Sequence, residues 1–278
     1  MLGFLGPNGA GKTTAMQILT GNLAPTSGEV VVNGHDLILE PKEAKRVMGY
    51  LPEQPPLYRE HRVDEFLDYC AALRAIPKAT RRAARETAKE RCGLKDTGKR
   101  LIGNLSKGFQ QRVGLAQAII HDPKVIILDE PTVGLDPIQI REIRLLIREL
   151  GKDRGVILST HILSEVEAVC DHVQIINKGR LVLSDTIANV LQRARSTAVI
   201  VRFRETPDIA AIAALSGVRT VEPAGDARFR IFHEMNESPG DALSRLSMER
   251  GWGLQEMTPE HGTLEQLFVQ MTEPVQTQ

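Results

Sequence analysis

The sequence predicts a mixed α/β fold with a second, smaller α+β unit at its carboxyl end. Three observations carry that expectation. From the start to about residue 190, short β-branched runs ("VIILD", "GVILST", "HVQIIN") alternate with amphipathic segments, the pattern of a mostly parallel sheet covered by helices. Roughly from Val63 to Ile120 helical patterns dominate, which reads as a helical subdomain inserted into the α/β core. Beyond residue 195 the order becomes strand, helix, strand, strand, helix, strand and a last helix, that of a ferredoxin-like β-α-β-β-α-β unit. The expected domains are therefore residues 1–190, with the helical subdomain at about 63–120, and residues 196–278.

Taken in order, "LGFL" is a short buried strand, and the loop after it fits G-x-x-x-x-G-K-[ST] as Gly6, Pro7, Asn8, Gly9, Ala10, Gly11, Lys12 and Thr13. The glycines let the backbone curl so that successive N–H groups point at phosphate oxygens. Lys12 adds a cation at the β- and γ-phosphates, and the Thr13 hydroxyl suits Mg²⁺. "TTAMQILTGN", from Thr13 and Thr14, is a helix closed by Gly21-Asn22, and its positive dipole end faces the phosphates. A glycine-rich turn without a ligand needs neither the strand nor the helix, and both flank this one. The first domain is thus a P-loop NTPase core.

Other kinds of NTPase share such a loop, so the rest of the chain has to specify the chemistry. "KVIILDEP" is an apolar strand ending in Asp129 and Glu130. At a strand end beside the loop, one acid holds Mg²⁺ and the second polarises an attacking water; alone, an Asp-Glu pair before proline is turn and capping chemistry. In "LSKGFQQRVGLAQAII", Ser106 is a natural N-cap, and with Gly108 it presents a second anion-binding helix start. One nucleotide does not need two such sites on one chain, so the economical reading is that the second serves nucleotide held by another copy. The carboxyl-terminal unit reads as strand "AVIVRFR", helix "DIAAIAALSGV", hairpin "RTVEPAGDARFRIF" around Gly225-Asp226, helix "PGDALSRLSMERG", strand "WGLQEM" and helix "TLEQLFVQM".

Composition narrows the partners. The 35 basic and 35 acidic residues cancel, so no global field favours nucleic acid or a membrane surface. Arg81, Arg82, Arg85 and Lys89 recur at helical spacing with Glu86 and Glu90 between them, which reads as a solvated helix face. Three scattered cysteines suit a reducing compartment. No apolar run approaches the roughly 18 residues of a membrane span, so the expectation is a soluble protein. The strand arginines Arg202, Arg204, Arg228 and Arg230 lack the stacking aromatics of an RNA-reading sheet, and nucleic acid is not an expected partner.

In these residues the chain resembles the ATPase subunit of an ABC transporter. The P-loop, "LSKGFQQR", "VIILDEP", "GLDP" and "LSTH" occur in that family's order over residues 1 to about 190. The resemblance implies ATP and Mg²⁺, hydrolysis in which Glu130 activates water, and a head-to-tail homodimer or pseudo-symmetric dimer. Each ATP would lie between one subunit's P-loop and the other's LSKGF segment. It implies an integral-membrane permease as partner, and a cytoplasmic position at the inner face of the cell membrane. By the same resemblance Gln54, in "YLPEQPPLY", senses Mg²⁺, Asp136 sits at the dimer seam and His161 contacts the γ-phosphate. Read without the family, Gln54 is a loop amide, Asp136 a turn residue and His161 a helix-start histidine. The carboxyl-terminal unit resembles the small domain of the exporter branch with separate permeases, to which antibiotic-export, sodium-export and gliding-motility-associated systems belong; packing and regulation are both open to it.

Two departures stand out. The family signature reads LSGGQ, and here Lys107 and Phe109 replace a glycine and a glutamine. A cation in the first turn opposes the helix dipole by about 0.3–1 kcal/mol, a cost that an approach of Lys107 to the partner's ATP would offset. The family also has strands and an adenine-stacking aromatic before the P-loop strand, whereas here the loop follows Met1 almost at once. The expectation is a late start codon or a shortened chain, with apolar surface exposed and the adenine side open. A truncated, non-catalytic subunit and a non-transport ATPase are the alternatives; a single P-loop and the lack of a long heptad stretch argue against the latter.

Overall fold

Leu2–Leu5 is apolar and largely buried, and in the computed structural model it forms β1 inside a six-stranded sheet. The structure describes residues 1–193, 198–225, 227–234 and 239–260, together with Glu265 and Phe268. After β1 come α1 (Lys12–Leu19), the short hairpin β2 (Val31–Val32) and β3 (His35–Asp36), α2 (Pro41–Arg46) and β4 (Met48–Leu51). The helical segment supplies α3 (Val63–Leu73), α4 (Lys78–Arg91) and α5 (Lys107–Ile119). Then follow β5 (Val125–Asp129), α6 (Pro137–Leu150), β6 (Gly155–Thr160), α7 (Leu163–Val169), β7 (His172–Asn177), β8 (Arg180–Thr186) and α8 (Ile187–Arg193).

The sheet order is β4-β5-β6-β1-β7-β8, parallel throughout except at the antiparallel β7–β8 edge. Because helices cover both faces, β5 buries consecutive residues, Ile126, Ile127 and Leu128, rather than alternate ones. Phe4, Met16, Met48, Ile127 and Ile176 form the core beneath the loop that follows β1. Val31, Ile38 and Leu39, around the β2–β3 hairpin, are exposed.

The basic face of α4 differs from the solvated stripe that its spacing predicts. Lys89 is buried, its ammonium 2.7 Å from Asp64 of α3, and Arg85 reaches Asp68 at 2.5 Å. Glu86 and the α3 carboxylates thus turn half of that stripe into the seam between two helices; spacing alone does not reveal acids on another element. Among the described residues, no helix is long and apolar enough to cross a membrane.

The chain divides into two units, Met1–Ile187 and Ala188–Glu273. The second contains β9 (Ala198–Phe203), α9 (Ile209–Ala213), β10 (Val218–Pro223), β11 (Arg228–His233), α10 (Gly240–Arg250) and β12 (Leu254–Glu260). Its sheet is antiparallel in the order β10-β11-β9-β12. Val201, Phe203, Ile231 and Leu243 pack with Trp252, whose ring meets Phe203 edge-on at 5.8 Å. On the sheet, Arg228 pairs with Glu256 at 3.5 Å. Asp226 of the predicted hairpin turn and the predicted last helix, apart from Glu265 and Phe268, lie outside the described residues.

Trp252 is the single tryptophan, so its fluorescence reports on the second unit. Ile231→Ala, at a fully buried position, should lower the unfolding free energy read from Trp252 in urea by about 2–5 kcal/mol. Exposed Met248→Ala should move it by less than about 0.5 kcal/mol.

Candidate functional site

Parallel pairing sends the carboxyl ends of β4, β5, β6 and β1 to one edge of the sheet, where loops can converge. The loop after β1 carries Gly6–Gly11 to the start of α1. Gly9 and Gly11 have φ of 78° and 105°, the left-handed region that a side chain resists. At Gly6 a side chain would run into the carbonyl oxygen of Ile176 on β7. With glycine at three of its six positions, the loop presents mostly backbone, curled above a helix start.

Lys12 opens α1 and folds back under the loop, 7% exposed, donating to the carbonyl oxygens of Gly6 at 2.8 Å and Pro7 at 3.4 Å. Its ammonium is 3.6 Å from Glu130. Glu130 follows β5 with a φ of 47°, a strain of about 1–3 kcal/mol for a non-glycine residue. Its N–H still donates to Ser159 of β6 at 2.9 Å, so the backbone bends without leaving the ladder. Both Glu130 carboxylate oxygens lie within hydrogen-bonding distance of His161 Nδ1, at 3.0 and 2.9 Å. A carboxylate only accepts, so His161 donates from Nδ1 and leaves Nε2 for another partner.

Asp129 is 2% exposed, and burial raises its pKa; Glu130 and Glu53 add to the rise, while the nearby Ser159 hydroxyl and Lys12 oppose it. The hydroxyl is near but does not bond: neither Asp129 Oδ1 nor Ser159 Oγ, both buried, has a hydrogen-bond partner. Next to it, burial and then the Asp129 charge push the Tyr50 phenol up to about 12.

Lys12, Glu130 and His161 line a cavity of about 370 Å³ together with the loop residues Asn8, Gly9 and Gly11, with Thr13 and Thr14, and with Glu53 and Val133, while Asp129 is buried behind that lining. Glu53 and Val133 are absent from the sequence-derived set; Glu53 directly precedes Gln54, and only the turn after β4 decides which of the two faces the cavity. Gln54 itself is exposed and lines a neighbouring cavity of about 480 Å³ with Lys107, Gln110 and Arg59.

The second predicted anion site stands apart from the first. Ser106 caps α5, its Oγ accepting from Phe109 N–H at 3.4 Å, which leaves the hydroxyl proton for another acceptor. Buried Gly108 packs so closely on Gln139 that a side chain would collide with it. Asp136 caps α6 through Gln139 N–H at 2.9 Å, the turn role its sequence position allows. The Lys107 ammonium lies against Gly134 of the same chain. None of Ser106, Gly108 or Asp136 lines the cavity built on Lys12.

The ABC transporter family model matches residues 1–133. The bacitracin transport ATP-binding protein BcrA of Bacillus licheniformis is 34% identical over 271 residues, covering 97% of this chain and 87% of its own. A solved ATP-binding subunit of an ABC transporter is similar at a TM-score of 0.62 and 31% identity, over 69% of this chain and 81% of that one. CbiO1 from Clostridium perfringens, described as part of the ABC transporter complex CbiONQ, matches at a TM-score of 0.62 and 28% identity, over 70% and 82% of the two chains.

The raised pKa of Asp129 fixes a sign. The folded chain holds that proton to higher pH than the unfolded chain does, so this group's contribution to stability falls as pH rises above the ordinary carboxylate range. Asp129→Asn should therefore raise the urea-unfolding free energy at neutral pH, and the gain should vanish in acid, where wild-type Asp129 is protonated in both states.

Proposed function

We propose, from the premise that the chain belongs to the ABC transporter ATP-binding family, that it drives a separate membrane permease through ATP-dependent closure of a head-to-tail dimer. Subunits of that family bind and hydrolyse ATP. The observation that carries the finer reading is the separation of two anion-binding helix starts on one chain, with a cavity on one and a free hydroxyl proton on the other.

In this reading the loop N–H groups and Lys12 hold the β- and γ-phosphates, with the α1 dipole behind them. Ser106 and Gly108 of a second copy cover the same ATP from the other side, and Asp136 lies at the seam between copies. Glu130 accepts a proton from the attacking water, and His161, fixed by its Nδ1 bond to Glu130, turns Nε2 toward the γ-phosphate. The orphaned Asp129 Oδ1 and the Thr13 hydroxyl fit a Mg²⁺ ion, with Gln54 near it in the closed dimer. Among the described residues no group of three or more His, Cys, Asp or Glu side chains is arranged to hold a metal, which suits a cation held mainly by one acid and by phosphate oxygens. Bound there, Mg²⁺ would neutralise charge on the phosphates.

A transported molecule would then be handled by the permease, and this chain would work at the cytoplasmic face of the membrane. BcrA, named for bacitracin transport, aligns over 97% of this chain and so through the second unit. That supports the second unit as a shared part of such subunits; export as the direction follows from the resemblance to the branch with separate permeases.

Glu130→Gln should lower steady-state ATP hydrolysis by about a hundredfold or more while ATP still binds. On size-exclusion chromatography with ATP it should elute as a dimer; a monomer at saturating ATP would contradict the closure scheme.

A further inference from the structure

We infer that Glu165 is a positioning residue for the hydrolytic pair, an inference that rests on the roles proposed for Glu130 and His161. Glu165 lies in the first turn of α7, 1% exposed. Its Oε1 accepts a hydrogen bond from Thr132 Oγ1, and its Oε2 accepts one from Thr160 Oγ1 at 2.8 Å. Thr132 stands two residues after Glu130, and Thr160 directly precedes His161. One buried carboxylate therefore ties together the two segments whose tips carry the proposed base and its histidine.

The surrounding bonds make the tie specific. Thr160 Oγ1, besides donating to Glu165, accepts from Ile162 N–H at 3.1 Å, so the residues on both sides of His161 are held. In the turn after Glu130, Val133 N–H reaches the Glu130 carbonyl and Leu135 N–H the Thr132 carbonyl, each at 3.2 Å. With the contacts between Glu130 and His161 at 2.9 and 3.0 Å, the ring closes through Thr132, Glu165 and Thr160. A carboxylate this deep in a core is costly unless its oxygens are met. Here two hydroxyls meet them, and Arg144 of α6 stands 3.7 Å from Oε1. Thr132 and Thr160 each give their single hydroxyl proton to this acid, so an amide in its place leaves one of the two protons without its acceptor and breaks the ring.

The test is ATP hydrolysis, steady-state and single-turnover, by the full chain. Wild type is compared with Glu165→Gln, Thr132→Val, Glu130→Gln, His161→Ala and the double variant Glu165→Gln/His161→Ala, with thermal unfolding of each. Glu165→Gln keeps the shape and one acceptor, and should lower kcat roughly ten- to a hundredfold. KM for ATP should stay within about twofold, the split expected when the reacting groups rather than the binding loop are displaced. Thr132→Val should move kcat the same way. The double variant should retain the residual single-turnover rate of His161→Ala, because the ring is already open. Wild-type kcat in Glu165→Gln and Thr132→Val, beside large losses in Glu130→Gln and His161→Ala, overturns the positioning role alone. Losses that multiply in the double variant, or that merely follow the melting temperature, also overturn it. Unchanged turnover in Glu130→Gln and His161→Ala overturns the roles on which it rests.

Discussion

Lys12 carries a full positive charge into a pocket where 7% of its surface meets solvent, and a charge so placed must be met by fixed groups. Two are carbonyl oxygens of its own loop, which curls over it only because Gly9 and Gly11 accept left-handed backbone. The third is Glu130, brought within 3.6 Å by a strained residue at the end of a different strand. That meeting requires parallel strands whose carboxyl ends share an edge, and the order β4-β5-β6-β1 provides it. Each strand contributes once: Glu53 after β4, Asp129 and Glu130 at β5, His161 after β6 and the loop after β1. On the reading proposed above, this layout surrounds one polyphosphate with both a cation and an acid.

The same edge accounts for the electrostatic tension at Asp129. Its buried carboxyl, with one oxygen unpartnered beside an unpartnered serine hydroxyl, is poor chemistry for stability. It is good chemistry for a cation that arrives with its own phosphate oxygens. A local sacrifice of this kind, next to the strained backbone at Glu130, is what a site arranged for binding rather than for packing looks like.

Much of this was legible in the sequence because its signals are local. Alternating runs and a glycine-rich turn set the first domain's architecture, and the change of pattern near residue 195 marked the antiparallel sheet. Within the site, the loop, Lys12, Asp129 and Glu130 lie in contiguous motifs whose spacing constrains their geometry. Glu53 and Glu165 were not legible, since their importance depends on which way a turn faces and on contacts across more than thirty residues, as from Glu165 to Thr132. The basic stripe on α4 misled for the same reason: its partners Asp64 and Asp68 belong to α3. Asp136 shows the opposite limit, since within one chain it caps α6 and its proposed place at the seam depends on a second copy.

In the proposed dimer each ATP site is shared between two copies, with Lys12 from one and Ser106 from the other. The most direct measurement mixes two inactive variants, Lys12→Ala and Ser106→Arg, and follows ATP hydrolysis as a function of mixing ratio. Shared sites predict that each variant alone is inactive and that the mixture regains activity, peaking near equal proportions, because the mixed dimer contains one intact site. Ser106→Arg that is fully active alone, or a mixture as inactive as its components although mixed dimers form, would contradict it.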